Sequence, residues 1–333
     1  MKEALYYQKT EDDKVQCFLC PHQCKISEGK RGICRVRKNV EGRLIAETYG
    51  KLIAINQDPI EKKPLYHFYP GSQILSVGSI GCSFHCDFCQ NCDISQSSVD
   101  DSPFLKNYSI DDIVQTAANR RDNLGIAYTY NEPGVWYEFM LDTAKEAKKH
   151  DLKNVMVTNG FINQEPLAEL LPYMDAFNVD LKAFREEFYR KYVKGRLEPV
   201  KESLKQIRAS GKHLEVTNLV IPTLNDNAST FREMLQWIRD ELGEHTVMHL
   251  SRYFPAYKMT IEGTPVLKLE EFYKIAREYL KFVYLGNVML SEGANTYCDQ
   301  CGHLVIKRHY YQTEMPGIDE KGRCKYCQNQ ILY

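Results

Sequence analysis

The sequence predicts an α/β protein built around a partial (β/α)6-type, TIM-like barrel, with a small cysteine-rich, metal-binding segment at each end. Three observations lead there. Between residues 74 and 290, short apolar runs bounded by Gly, Asn, Asp or Pro alternate with amphipathic helical stretches, the rhythm of a parallel sheet covered by helices. The twelve cysteines fall into three sets of four, and none occurs between Cys92 and Cys298. Polar residues recur where the apolar runs end, and barrels of this type carry their active sites at that end.

The elements follow in order. Residues 1–72 hold Cys17, Cys20, Cys24 and Cys34 with little helical period, then an ordered connector, Asp58–Ser72, with three prolines. The connector's Tyr66, His67, Phe68 and Tyr69 read as packing against the barrel, where they cover or frame its lateral opening. Residues 73–290 are the barrel. Its candidate strands are 74–79, 125–130, 154–158, 176–181, 213–220, 246–251 and 282–288, each rich in Val, Ile, Leu, Phe or Tyr. Ser109 and Asp112 have capping-box spacing for one helix. Val200, Leu204 and Ile207 mark a second, ending at Gly211. Phe231, Met234, Leu235, Ile238 and Leu242 mark a third, ending at Gly243. Residues 291–333 form a tail with the last four cysteines.

Composition excludes several function classes. Forty-three Lys plus Arg against 44 Asp plus Glu leave a net charge of −1, which argues against a nucleic-acid coat or a polybasic membrane binder. No apolar run approaches a spanning helix, and the polar start MKEALYYQKTEDDK has no signal-peptide core. A cytoplasmic location is expected, where clustered cysteines bind metal or do chemistry rather than form disulfides.

The central set carries the chemistry. Cys82, Cys86 and Cys89 are spaced C-x3-C-x2-C after a glycine-bearing strand end. Three thiolates on one loop can hold three irons of a [4Fe–4S] cluster. The fourth iron is then open to the amino and carboxylate groups of S-adenosylmethionine, which one electron splits into methionine and a 5′-deoxyadenosyl radical. A pocket for that molecule needs acceptors, cations and apolar walls. The strand ends offer Asn131, Glu132, Thr158, Asn159, Asp180, Lys182, Thr217, His249 and Arg252. Asp180 is suited to the ribose hydroxyls, Lys182 to a carboxylate, and Asn131 with Glu132 to the ammonium. The bland alternatives are a surface ion pair for Asp180 and Lys182, and a satisfied core histidine for His249.

The C-x3-C-x-aromatic-C pattern, with Phe88 as the aromatic, resembles that of the radical SAM superfamily. The resemblance implies a radical SAM barrel, three cysteine ligands with Cys92 a bystander, and an electron donor such as flavodoxin or ferredoxin. Asp180-Leu181-Lys182, Thr158-Asn159-Gly160 and Ile221-Pro222 with Asn225-Asp226 resemble the pyruvate formate-lyase-activating branch. That branch has Gly-Gly-Glu where this chain has Tyr130-Asn131-Glu132. With Cys17-x2-Cys20-Pro21-His22-x-Cys24 and the run Asp58–Leu65, the chain resembles the AmmeMemoRadiSam system radical SAM proteins, which implies Memo-like and AMMECR-like partners.

Cys298, Cys301, Cys324 and Cys327 form two C-x2-C turns separated by 22 residues, the spacing of a zinc ribbon, with rubredoxin-like iron as the other tetrahedral S4 site. Cys17, Cys20, Cys24 and Cys34 suit structural zinc or an auxiliary iron–sulfur cluster, with His22 at hand as a substitute ligand; structural zinc is the expectation, and their spacing suits either. The functional reading is a radical SAM enzyme that abstracts hydrogen from its substrate. Its alternatives are an activase of a glycyl-radical enzyme and, in another class, a zinc-ribbon nucleic-acid binder using Lys307, Arg308, Lys321, Arg323 and Lys325.

Overall fold

A single sheet of eight strands organises the molecule. In the computed structural model, which describes residues 2–11 and 13–332, these strands are β1 (Ala54–Pro59), β2 (Gln73–Gly78), β3 (Asn123–Tyr128), β4 (Lys153–Thr158), β5 (Ala176–Asp180), β6 (His213–Val220), β7 (Val247–Arg252) and β8 (Val283–Gly286). They lie side by side in chain order. β2 to β8 are parallel, and β1 runs antiparallel along the outer edge of β2. β1 and β8 do not pair, so the sheet curves without closing.

One helix crosses between each pair of parallel strands: α1 (Ile110–Ala118), α2 (Tyr137–Lys149), α3 (Gln164–Leu170), α4 (Leu197–Ala209), α5 (Ala228–Leu242) and α6 (Val266–Arg277). Six β/α units followed by a last strand thus make the partial barrel that the sequence predicts. Local chemistry sets the helix ends. Ser109 and Asp112 form the reciprocal capping box of α1. Gly243, at φ +99, ends α5. Strand β1 has no counterpart among the predicted strands. Its residues Asn56, Gln57 and Asp58 are polar, and it is a strand because β2 offers a free edge.

The N-terminal segment is two small antiparallel sheets, one of Lys2–Glu3, Arg43–Ala46 and Arg37–Val40, the other of Tyr7–Lys9, Val15–Cys17 and Lys25–Ile26. It has no separate core. Val15, Leu19, Ile26, Val36 and Leu44 belong to the same apolar cluster as the barrel and its helices. Arg37 fixes the junction, its guanidinium forked onto Glu138 of α2 at 3.0 and 2.9 Å with both side chains buried. The tail does have its own core, built from Val305, Ile306, Ile318 and Ile331 around its cysteines.

The connector goes to the end of the barrel opposite Cys82. Ile60, Leu65 and Phe68 pack on Ile74, Ala127, Val155 and Ala176 inside the sheet. The backbone N–H groups of Tyr66 and His67 donate to the Glu215 carboxylate at 2.8–2.9 Å. The connector is therefore the barrel's floor and does not cover its side opening. The tail closes the floor from outside. Arg308 donates to the Tyr66 carbonyl at 2.6 Å and lies over its ring, and the His67 ring meets the Ile331 carbonyl. Among the described residues no helix is long and apolar enough to cross a membrane.

Candidate active site

At the other end of the barrel, β2 stops at Gly78 and the chain turns into the loop of Cys82, Cys86 and Cys89. Gly81, at φ +83, lies so close to the N-terminal segment that a Cβ there would stand 2.6 Å from the Cys34 carbonyl oxygen. The loop is pinned from both sides. His22 Nε2 meets the Ser83 carbonyl at 2.8 Å and His85 Nε2 meets the Ile33 carbonyl at 3.0 Å. Opposite, the His85 and Asp87 N–H groups donate to Val193 and Tyr192 in the π-helical turn Tyr189–Val193. The Phe84 ring fills space that any side chain at Gly195 would occupy, since a Cβ there would lie 2.2 Å from it.

Donors converge on the loop's sulfurs. The Phe84 N–H donates to Cys82 Sγ at 3.3 Å, Asn159 Nδ2 stands 3.6 Å from the same sulfur, and Ser95 Oγ meets Cys89 Sγ at 3.2 Å. Burial pushes the Cys86 thiol up to about 12, so a metal that binds it must displace a proton. Cys92 stands apart at the start of a short helix, its thiol turned to Asp93. Phe88, the aromatic of the pattern, is buried against Phe188, with the Lys182 ammonium 6.0 Å from its ring.

Asp180 and Lys182 sit together at the end of β5, 2.9 Å apart, with the carboxylate 38% exposed and the lysine 15%. Burial opposes the lysine's charge, but Asp180 and the nearby Cys86 hold it above the ordinary lysine range. The Tyr189 hydroxyl accepts from the Lys182 N–H; nothing in its sequence surroundings marks that tyrosine. The half-exposed Asp180 carboxylate keeps acceptor capacity, and the Lys182 ammonium bonded to it lies over Phe88 of the cysteine loop.

The remaining candidates divide. Asn159 joins the loop, its amide bonded to Ser83 Oγ at 3.1 Å. Glu132 and Thr158 are occupied in placing it. The Glu132 carboxylate accepts from Thr158 Oγ1, the Asn159 N–H and the Gly134 N–H at 2.7–2.8 Å. Burial nevertheless pushes its carboxyl up to about 7. Asn131 braces the loop from below, accepting from the Ser79 N–H and Trp136 Nε1 and donating to the Gly81 carbonyl. Thr217 donates to Asn178 inside the barrel. Arg252 donates to the Thr264 carbonyl and lies over Phe254 at the rim. His249 lies on the floor, 2% exposed, with Nε2 2.6 Å from Glu215 and its ring between Tyr66 and Tyr284. The structure brings it to a satisfied core position and not to the opening.

Tyr130 takes a backbone shape that favours glycine. Its φ is +72, a left-handed conformation that costs a bulky residue about 1–3 kcal/mol. The side chain offsets the strain: its hydroxyl donates to Asp58 at 2.6 Å, and Lys63 sits 5.0 Å over its ring. Its carbonyl accepts from Asn91, just past Cys89.

Cys298, Cys301, Cys324 and Cys327 meet in the tail, with Cys298–Cys327 and Cys301–Cys324 sulfurs 3.5 and 3.6 Å apart. Among the described residues they are the one group of three or more His, Cys, Asp or Glu gathered closely enough to hold a single ion.

Residues 77–238 match the sequence pattern of the Radical SAM superfamily. The chain is 46% identical to an uncharacterized protein of Methanocaldococcus jannaschii over 99% of both chains. It is 22% identical over 123 residues, 37% of this chain and 39% of the other, to a (2S)-3-sulfopropanediol dehydratase activating enzyme of Klebsiella oxytoca. In fold it is similar to SuiB of Streptococcus suis, at a TM-score of 0.50 and 12% identity, over 72% of this chain and 56% of that one.

Proposed function

The chain belongs to the radical SAM superfamily and is a radical SAM enzyme; from that premise we propose that Cys82, Cys86 and Cys89 hold its [4Fe–4S] cluster and that S-adenosylmethionine lies between them and the strand ends. The carrying observation is the loop itself: three thiols at the carboxyl end of β2, with amide and hydroxyl donors on the sulfurs of Cys82 and Cys89. When bound, the cluster supplies the electron that splits S-adenosylmethionine. Asp180 binds the ribose hydroxyls and Lys182 the carboxylate. Asn159 steadies the Cys82 sulfur, and Asn131, Glu132 and Thr158 hold loop and asparagine in place. Arg252 lines the outer approach, and Thr217 lies deeper in the barrel, bonded to Asn178. Anaerobic reconstitution with iron, sulfide, reductant and S-adenosylmethionine should yield 5′-deoxyadenosine and methionine. A chain that holds a [4Fe–4S] cluster yet releases no 5′-deoxyadenosine under these conditions would refute the reading.

The likeness to an activating enzyme favours a second reading, hydrogen abstraction from a partner protein rather than from a small molecule. Flavodoxin or ferredoxin is the class of electron donor the reaction requires. Memo-like and AMMECR-like partners rest on the sequence resemblance alone.

We assign the tail's four thiols to structural zinc. Sulfurs about 2.3 Å from one tetrahedral ion stand roughly 3.8 Å apart, near the separations of the two sulfur pairs. Removing the tail is the wrong test, because its Arg308 is buried against Glu61 of the connector. Cys324→Ser should release one zinc without opening the floor.

A further inference from the structure

The four N-terminal thiols are arranged differently from the four in the tail. Cys17, Cys20, Cys24 and Cys34 all line one pocket. They are not among the residues gathered closely enough to hold a single ion. Four thiolates on one zinc must crowd together, whereas a [4Fe–4S] cluster presents four separate iron corners to four cysteines and keeps them apart. His22 is not among the residues that line this pocket, and its Nε2 is engaged with the Ser83 carbonyl.

Two further observations point to an occupant. Arg37 also lines the cavity. It is 2% exposed, and although its two outer nitrogens are engaged by Glu138 and the Leu5 carbonyl, its Nε is buried with no partner. A buried unpaired donor of a cation is costly, and cluster sulfide or thiolate sulfur is the acceptor chemistry such a site lacks. The cavity also reaches the radical loop. Ser83 and Glu132 form part of its wall, Ser83 adjoins Cys82, and the Cys34 carbonyl presses on Gly81.

We propose that Cys17, Cys20, Cys24 and Cys34 hold a second iron–sulfur cluster, with Arg37 Nε donating to one of its sulfurs, directly behind the loop of Cys82, Cys86 and Cys89. The site places two one-electron centres back to back, one facing the barrel opening and one facing the N-terminal segment.

The test uses the full chain with Cys82→Ala, Cys86→Ala and Cys89→Ala combined, reconstituted anaerobically with iron and sulfide. It should retain about four irons and four sulfides per chain, as one [4Fe–4S] cluster held by four cysteines requires, and give an electron paramagnetic resonance signal on reduction. Adding Cys17→Ser and Cys24→Ser should remove the iron, sulfide and signal, while circular dichroism and tail zinc stay unchanged. In the intact chain both clusters should be present, and the reduced spectrum should show magnetic coupling that vanishes when either set is removed. A triple variant whose N-terminal cysteines carry zinc and no acid-labile sulfide overturns the proposal. So does iron and sulfide that persists after Cys17 and Cys24 are replaced. Because the triple variant lacks the radical loop's ligands, this result is independent of the function assigned to that loop.

Discussion

The floor and the opening of the barrel are both lined with charged and polar side chains, yet they are finished differently. On the floor the groups around Glu215 close on one another. Glu215 takes both connector N–H groups, His213 and His249, and the His67 ring joins the Tyr284 hydroxyl to the Ile331 carbonyl. At the opening, Asp180 is 38% exposed and engaged by one lysine, and the cysteine loop is gripped by its backbone. Buried polar networks that are complete hold a fold together. Groups with bonding capacity left over, at the carboxyl ends of parallel strands, are there for a ligand. Charge alone does not separate Glu215 from Asp180; what does is that one carboxylate is buried among four donor residues and the other, half exposed, is engaged by a lysine.

Breaking that contrast gives a graded set of outcomes. The largest is at the opening: Cys82→Ala, Cys86→Ala or Cys89→Ala should abolish 5′-deoxyadenosine release, with far-ultraviolet circular dichroism unchanged. Next is the floor. Glu215→Leu leaves the two N–H groups and His249 without their shared partner, and urea unfolding should show a loss of about 3–5 kcal/mol, the range for breaking a buried charged pair. An unfolding midpoint equal to that of the parent would erase the distinction between the two ends. Asp180→Asn and Lys182→Met should do the reverse, leaving stability nearly intact while weakening S-adenosylmethionine binding by about 1.5–3 kcal/mol, or roughly ten- to a hundredfold, as read by equilibrium dialysis.

Acid should reach the floor before the rest of the protein. Burial lowers the His67 ring from the usual 6.5 to about 3, so below pH 6.5 the unfolded chain takes up a proton that the folded chain refuses. Burial works against the Glu215 carboxylate, but His213 and His249 outweigh it and hold the group well below its ordinary 4.5. Its stabilisation is present above 4.5 and is lost as pH falls below that. Urea midpoints measured downward from pH 7 should start to fall near 6.5 and steepen below 4.5, and His67→Gln should flatten the first part of that decline. The smallest effect is expected at Cys92→Ala, within about 0.5 kcal/mol of the parent and with cleavage retained; loss of the cluster would show it to be a ligand.

Much of this was readable from the residues. Alternating apolar runs and helical periods place the parallel strands, the Ser109–Asp112 box starts α1, and Asp180 and Lys182 stand at a strand end beside the loop. What escapes is anything that depends on a partner distant in the chain. His249 looks like its neighbours in the strand-end series until Glu215, one strand over, and Tyr66, far upstream, come to it. Asn131 and Glu132 read as ligands of an ammonium because nothing local reveals the N–H groups they face. The N-terminal cysteines have a spacing that suits zinc or a cluster, and the separation of their thiols and the pocket that they share with Arg37 distinguish them from the tail set. Tyr130 in a glycine's conformation is legible to no residue scale, since Asp58 and Lys63 make it tolerable.

The contact between the His67 ring and the Ile331 carbonyl also orders the protein's making. At about 5–20 residues per second, a ribosome finishes the connector long before it reaches Arg308 and Ile331. Throughout that interval the connector's outer side, with Tyr66 and His67, has no cover, and the barrel stands assembled on an unsealed base. Arg308 and Ile331 emerge after the whole barrel and shut it, so a chain that stopped short of them would carry the loop of Cys82, Cys86 and Cys89 above an open base.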